Sequence, residues 1–199
     1  MINQELQLLI YSYVYPLDEM LQVFENDLKT TDLLIMRYYQ LPSLSTAISW
    51  RYKNVIKYLI THGHEFTEDA HITCLIHISD IEFFEWLYAH DIKFSQRAIE
   101  IVVRTAKCEK YKFFVSKGHQ ITYTDLSQAL GGYYNYRELL EYDAFQGYFT
   151  GNIDEAFDLY KDMLIYILEA GIKPSEQDYD VAEMRRDTQM MELLKGTFI

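Results

Sequence analysis

The sequence predicts an all-α fold, a solenoid of stacked helix-turn-helix units, on two observations: one apolar helix pattern returns at nearly even intervals, and a residue suited to ending a helix closes each copy. The clearest copy is residues 54–67, NVIKYLITHGHEFT. Val55, Ile56, Leu59 and Ile60 make an apolar stripe at helical spacing, Gly63 suits the left-handed conformation that closes a helix, and Thr67 suits the cap of the next one. Equivalent ends fall at Gly63, Asp91, Gly118, Asp143, Gly171 and Gly196, in steps of 28, 27, 25, 28 and 25 residues.

Each unit follows one order of parts. Five positions before each end stand Tyr58, Trp86, Phe113, Glu138, Tyr166 and Met191; one position later stand Leu59, Leu87, Phe114, Leu139, Ile167 and Glu192. Both columns are large and apolar with one exception each, so they are expected to face neighbouring helices as core. Phe66, Phe94, Ile121 and Pro174 follow the end, and then a hydroxyl residue at Thr67, Ser95, Thr122 or Ser175 is placed to cap a first helix. Thr122 with Asp125, and Ser175 with Asp178, have capping-box spacing, with Asp in place of the usual Glu or Gln. No unit is expected to fold alone. Two short helices bury too little apolar surface to offset chain entropy of roughly 1–2 kcal/mol per residue, so neighbours must stack.

The stretch 41–63, LPSLSTAISWRYKNVIKYLITHG, resembles an ankyrin repeat. Pro42-Ser43-Leu44 stands where that family has Thr-Pro-Leu-His, Ala47 lies on the first helix, and the Val-Ile-Lys-Tyr-Leu helix and its glycine follow. The resemblance covers residues 41–199, about six repeats. The period is shorter than the family's ~33 residues. The deficit falls where the family carries its β-hairpin finger, which implies short or absent fingers. Diverged units rich in Ile, Tyr and Lys look like those of large DNA viruses.

Residues 1–40 stand outside the repeat. Leu6, Leu9, Ile10 and Tyr13 share a helical face, Pro16 breaks it, and Asp18 is placed to cap a second helix with Met20, Leu21 and Phe24. Glu5-Leu6, Ile10, Val14 and the run from Asp18 to Leu21 resemble the opening of an F-box, although Asn3 or Gln4 stands where that motif has Pro. This implies docking of a SKP-type adaptor of a cullin ubiquitin ligase through Leu6, Ile10, Tyr13, Val14 and Leu21. The alternative is a polar-faced cap that shields the first repeat.

Gly131-Gly132 takes the place of the turn between the helices of the fourth unit, leading to Tyr133, Tyr134 and Tyr136, and a looser stretch carries Tyr148 and Phe149. Rigid aromatics on loops suit a partner-binding surface, since Tyr supplies amphipathic area at low entropic cost. The alternative is that the rings fill a gap in an irregular repeat. Residues 153–174, IDEAFDLYKDMLIYILEAGIKP, locally resemble a pentatricopeptide repeat, which implies a single-stranded RNA ligand. That resemblance is confined to one unit in an acidic setting. In the last unit Asp187, Gln189 and Glu192 interrupt an apolar helix, as suits a C-terminal cap facing water.

Net charge is −12, divided as −3 over residues 1–119 (15 acids, 12 bases) and −9 over residues 120–199 (15 acids, 6 bases). The acidic second part disfavours binding to a phosphate backbone. Arg104, Lys107, Lys110, Lys112 and Lys117 form the basic cluster, expected to be a solvated face whose Lys stems cover apolar surface. No apolar run approaches the ~18 residues of a membrane span, and no basic segment precedes an apolar one at the N-terminus. With two cysteines, Cys74 and Cys108, a reduced, cytoplasmic protein is expected, in the host cell if the chain is viral. His62 and His64 flank the Gly63 turn without a second pair at zinc spacing, so no metal ligands are assigned. Nor are catalytic or cofactor-binding residues, because no nucleophile with a base, phosphate loop or paired carboxylates emerge. The expected function is a non-catalytic protein–protein interaction module, in its sharper form an adaptor that recruits a host protein to a ubiquitin ligase, in its plainer form a repeat that sequesters its partner. A nucleic-acid-binding helical repeat is the lesser alternative.

Overall fold

A computed structural model describes residues 43–145 and 154–196. The described residues form ten α-helices and no strand. They fall into two compact units divided between Ser95 and Gln96. The first contains α1 (Leu44–Ser49), α2 (Lys53–Thr61), α3 (Glu68–His77) and α4 (Ile81–Ala89). The second contains α5 (Gln96–Arg104), α6 (Cys108–Ser116), α7 (Tyr123–Phe145), α8 (Asp154–Glu169), α9 (Glu176–Met184) and α10 (Thr188–Leu194).

Five of the six expected helix ends adopt the left-handed conformation, with φ of +85° at Gly63, +59° at Asp91, +102° at Gly118, +89° at Gly171 and +69° at Gly196. In the first three, two backbone bonds close the Schellman motif: Gly63 N to Ile60 O and His64 N to Leu59 O, Asp91 N to Tyr88 O and Ile92 N to Leu87 O, Gly118 N to Val115 O and His119 N to Phe114 O. The accepting carbonyls at Leu59, Leu87 and Phe114 belong to residues whose side chains are at most 1% exposed. One residue per unit thus anchors both the core and the turn. The same closure recurs inside three hairpins at Arg51 (+62°), Ala106 (+52°) and Arg186 (+53°), where the chain accepts a conformation unfavourable for non-glycine residues by about 1–2 kcal/mol.

Four-residue connectors, 64–67, 92–95, 119–122 and 172–175, lead from each left-handed end to the next first helix. The expected hydroxyl caps divide by how much of the pattern they complete. Thr67 Oγ1 accepts from Ala70 N at 3.4 Å, and Ser43 Oγ does the same for Thr46 N at 3.1 Å. Ser175 and Asp178 make the full capping box. At Thr122 the Asp125 carboxylate accepts from both Thr122 N (2.8 Å) and Thr122 Oγ1 (3.1 Å). Ser95 instead donates to Glu68 Oε1 at 2.7 Å, tying a connector to the preceding first helix.

The fourth unit departs from the expectation. Gly131-Gly132 makes no turn, and Asp143 ends no helix, because α7 runs unbroken for 23 residues from Tyr123 to Phe145. A Cβ on Gly132 would lie 2.2 Å from Arg104 O, so the missing side chain lets α7 approach the end of α5. Tyr160 of α8 donates its hydroxyl to the same Arg104 carbonyl at 2.5 Å. Without a break the helix keeps its own phase. Leu140 is buried at 5% while Leu139, expected in the core column, is 54% exposed.

Candidate functional site

The aromatic segment proposed from sequence as a contact surface is corrected in part. Tyr133 and Tyr134 are only 2% and 7% exposed, which answers to the gap-filling alternative. Tyr133 packs edge-on against Phe157 and Tyr160 of α8, and its hydroxyl donates to Asp187 Oδ2. Arg137 donates to the same oxygen, while Asp187 Oδ1 caps α10 by accepting from Met190 N at 3.0 Å. Asp187 therefore does not face water; at 3% exposure it pins the last hairpin to α7. Burial, then hydrogen bonding to the Asp187 carboxylate, pushes the Tyr133 hydroxyl well above its ordinary pKa. Tyr134 is raised chiefly by burial, and the Arg185 guanidinium lies over its ring at 4.8 Å. Tyr136 is half-buried on α7. Tyr148 and Phe149 lie outside the described residues, as do Leu6, Ile10, Tyr13, Val14 and Leu21.

The basic cluster does not assemble as a free cationic face. Arg104 donates to Gln128 Oε1 through two nitrogens, Lys112 pairs with Glu109 at 2.9 Å and lies over the Tyr166 ring, Lys117 lies over Phe113, and Lys110 is 5% exposed. Lys107 is exposed at the start of α6.

What the structure adds is an open groove of ≈ 450 Å³ on the second helices of the first unit, α2 and α4. Its aromatic wall is Phe83 and Trp86, whose rings stack at 6.2 Å. Phe83 is buried at 2%, whereas Trp86, expected to be core, is half-buried and reaches the groove. Lys57 extends from α2 so that its ammonium lies 5.9 Å from the Phe83 centroid and 5.3 Å from that of Trp86. Trp86 is braced by His90, stacked on its ring at 3.8 Å, with Nδ1 bonded to Trp86 O at 2.8 Å. The preceding second helix, α2, repeats this arrangement, with His62 stacked on Tyr58 at 3.9 Å and bonded to Tyr58 O. An aromatic residue and a histidine four positions on, at the helix end, are locked into one rigid piece.

Lys53 and Asp80 complete the groove, paired across it at 2.5 Å. Asp80 also caps α4 by accepting from Glu82 N at 3.0 Å. The hydrogen bond from Lys53 is the largest influence holding the Asp80 carboxyl below its usual range, against some opposing desolvation. Sequence reasoning missed this site because its partners are 27 residues apart and Lys57 meets aromatics of the following hairpin. The available signal was that Lys57 and Trp86 stand at adjacent positions of the repeat, six and five before their ends.

Among the described residues no group of three or more His, Cys, Asp or Glu side chains is arranged to hold a metal ion. None of their helices is long and apolar enough to cross a membrane. Cys74 is buried and Cys108 half-buried, both as free thiols, with the Cys108 thiol raised chiefly by burial. Comparison of the chain with protein-family models, curated proteins and solved structures finds no match.

Proposed function

We propose that this chain is a degenerate ankyrin-like repeat protein whose function is to bind another protein without chemistry of its own. The observation that carries the reading is the recurrence of one helical hairpin closed by the same left-handed turn, together with a rigid aromatic groove on consecutive second helices. Stacked hairpins of this kind offer a continuous surface assembled from many shallow contacts. The half-buried Trp86 ring, braced by His90, supplies binding area at little entropic cost.

The adaptor form of the proposal adds a ligase contact through Leu6, Ile10, Tyr13, Val14 and Leu21, and rests on the F-box resemblance of that segment. Affinity capture from cell lysate with the full chain and with its Leu6→Asp/Ile10→Asp variant separates the two forms. Recovery of a SKP-type adaptor and a cullin by the parent chain, lost in the variant while another protein is retained, is the result expected of an adaptor. One shared protein with neither ligase subunit supports the sequestering form. Capture of nucleic acid, abolished by moderate salt, would overturn both.

A further inference from the structure

Resting on the reading of the chain as a protein-binding module, we propose that the α2–α4 groove docks a partner segment that carries an acidic and a basic side chain on either side of an apolar one, the acid against Lys57 and the base against Glu82. Four charged residues line this groove. Two of them, Lys53 and Asp80, neutralise each other. The other two are of opposite sign and belong to different helices, Lys57 to α2 and Glu82 to α4. Neither is in an ion pair among the described residues, with each other or with a third group.

Lys57 and Glu82 therefore give the groove a polarity that a partner has to match. The Lys57 ammonium is held over the Phe83 and Trp86 rings, an attraction that fixes its position yet leaves N–H donors for a carboxylate. Glu82 follows Asp80 at the start of α4, where the helix dipole and the Asp80 cap orient the first turn and its carboxylate stands exposed. Trp86 lines the same groove as the two charges, half-buried and braced by the stacked His90 ring, and offers the apolar contact for an incoming side chain. A partner with acids only would meet Glu82, and one with bases only would meet Lys57. Charges of this kind, one half-buried and one exposed, contribute orientation and discrimination while the aromatic contact supplies most of the affinity.

The test is to pan a display library of short random peptides on the full chain and to measure the enriched peptides, fluorescently labelled, by anisotropy. Enriched peptides are expected to share an acid and a base flanking an apolar residue. Lys57→Glu and Glu82→Lys should each weaken them roughly tenfold or more, with unchanged circular dichroism. The double variant should bind the peptide whose two charges are exchanged. Peptides that bind equally well to both charge-reversed variants would overturn this site while leaving the module reading intact. Acid-only peptides sensitive to Lys57→Glu alone would overturn the two-sign match. Failure to enrich any peptide would overturn the docking proposal, and lysate capture would still decide the module reading separately.

Discussion

A methyl group at position 132 would meet the Arg104 carbonyl oxygen at 2.2 Å and the Tyr160 ring at 3.0 Å, so Gly132→Ala is expected to destabilise the second unit by roughly 1–3 kcal/mol. Gly131, one position earlier in the same helix, has nothing within 4 Å of its added Cβ, and Gly131→Ala should instead stabilise by about 0.5–1 kcal/mol. Chemical denaturation of the two variants checks the pair. A second residue-scale prediction concerns His71, whose ring lies against Phe66 and Phe94 and whose Nδ1 is buried without a partner. Burial lowers its pKa, opposed in part by Glu68. Its neutral form is therefore favoured in the folded chain. This contribution is complete above the unfolded-state value of ~6.5 and declines as pH falls through that value towards the lower folded one. Denaturation midpoints between pH 7.5 and 5 should fall less steeply in His71→Phe than in the parent chain. The left-handed role of Gly63 was legible from its position after an apolar stripe. The role of Gly132 was not, since it depends on a carbonyl 28 residues earlier in the chain.

At the scale of elements, the helix ends and hydroxyl caps were the most readable features because each is set within a few residues. The unbroken α7 was misread by giving the glycine pair priority over periodicity. Leu126, Ala129, Leu130, Tyr133 and Leu140 are all buried and keep helical spacing through the glycines, so the stripe itself predicted one helix. Asp187 shows the opposite limit. Its capping of α10 is local, but its bonds to Tyr133 and Arg137 span 54 and 50 residues and leave no mark in the repeat columns. Asp187→Ala would strip the cap and take the acceptor from the buried Tyr133 hydroxyl and the half-buried Arg137, at a cost of about 3 kcal/mol. Hydrogen exchange should then accelerate in α9 and α10 more than in α5 and α6. Uniform acceleration across the second unit would show that the last hairpin is not separately pinned.

For the whole molecule, the all-helical class followed from repeat spacing, whereas the candidate site required knowing which side chains cross between hairpins. The aromatic columns placed core and groove in the same register, and sequence alone could not divide buried Phe83 from half-buried Trp86. The charge imbalance of −9 in residues 120–199 favours solubility and disfavours polyanions, while the residues that line the groove all belong to the first unit. We propose that the second helices of the first unit carry the binding surface. The most direct measurement is amide hydrogen exchange of the full chain, alone and saturated with the protein it captures from lysate. Slowed exchange in residues 53–61 and 80–89 is the result expected. Unchanged exchange there, with protection confined to other residues, would show that partner binding lies elsewhere on the chain.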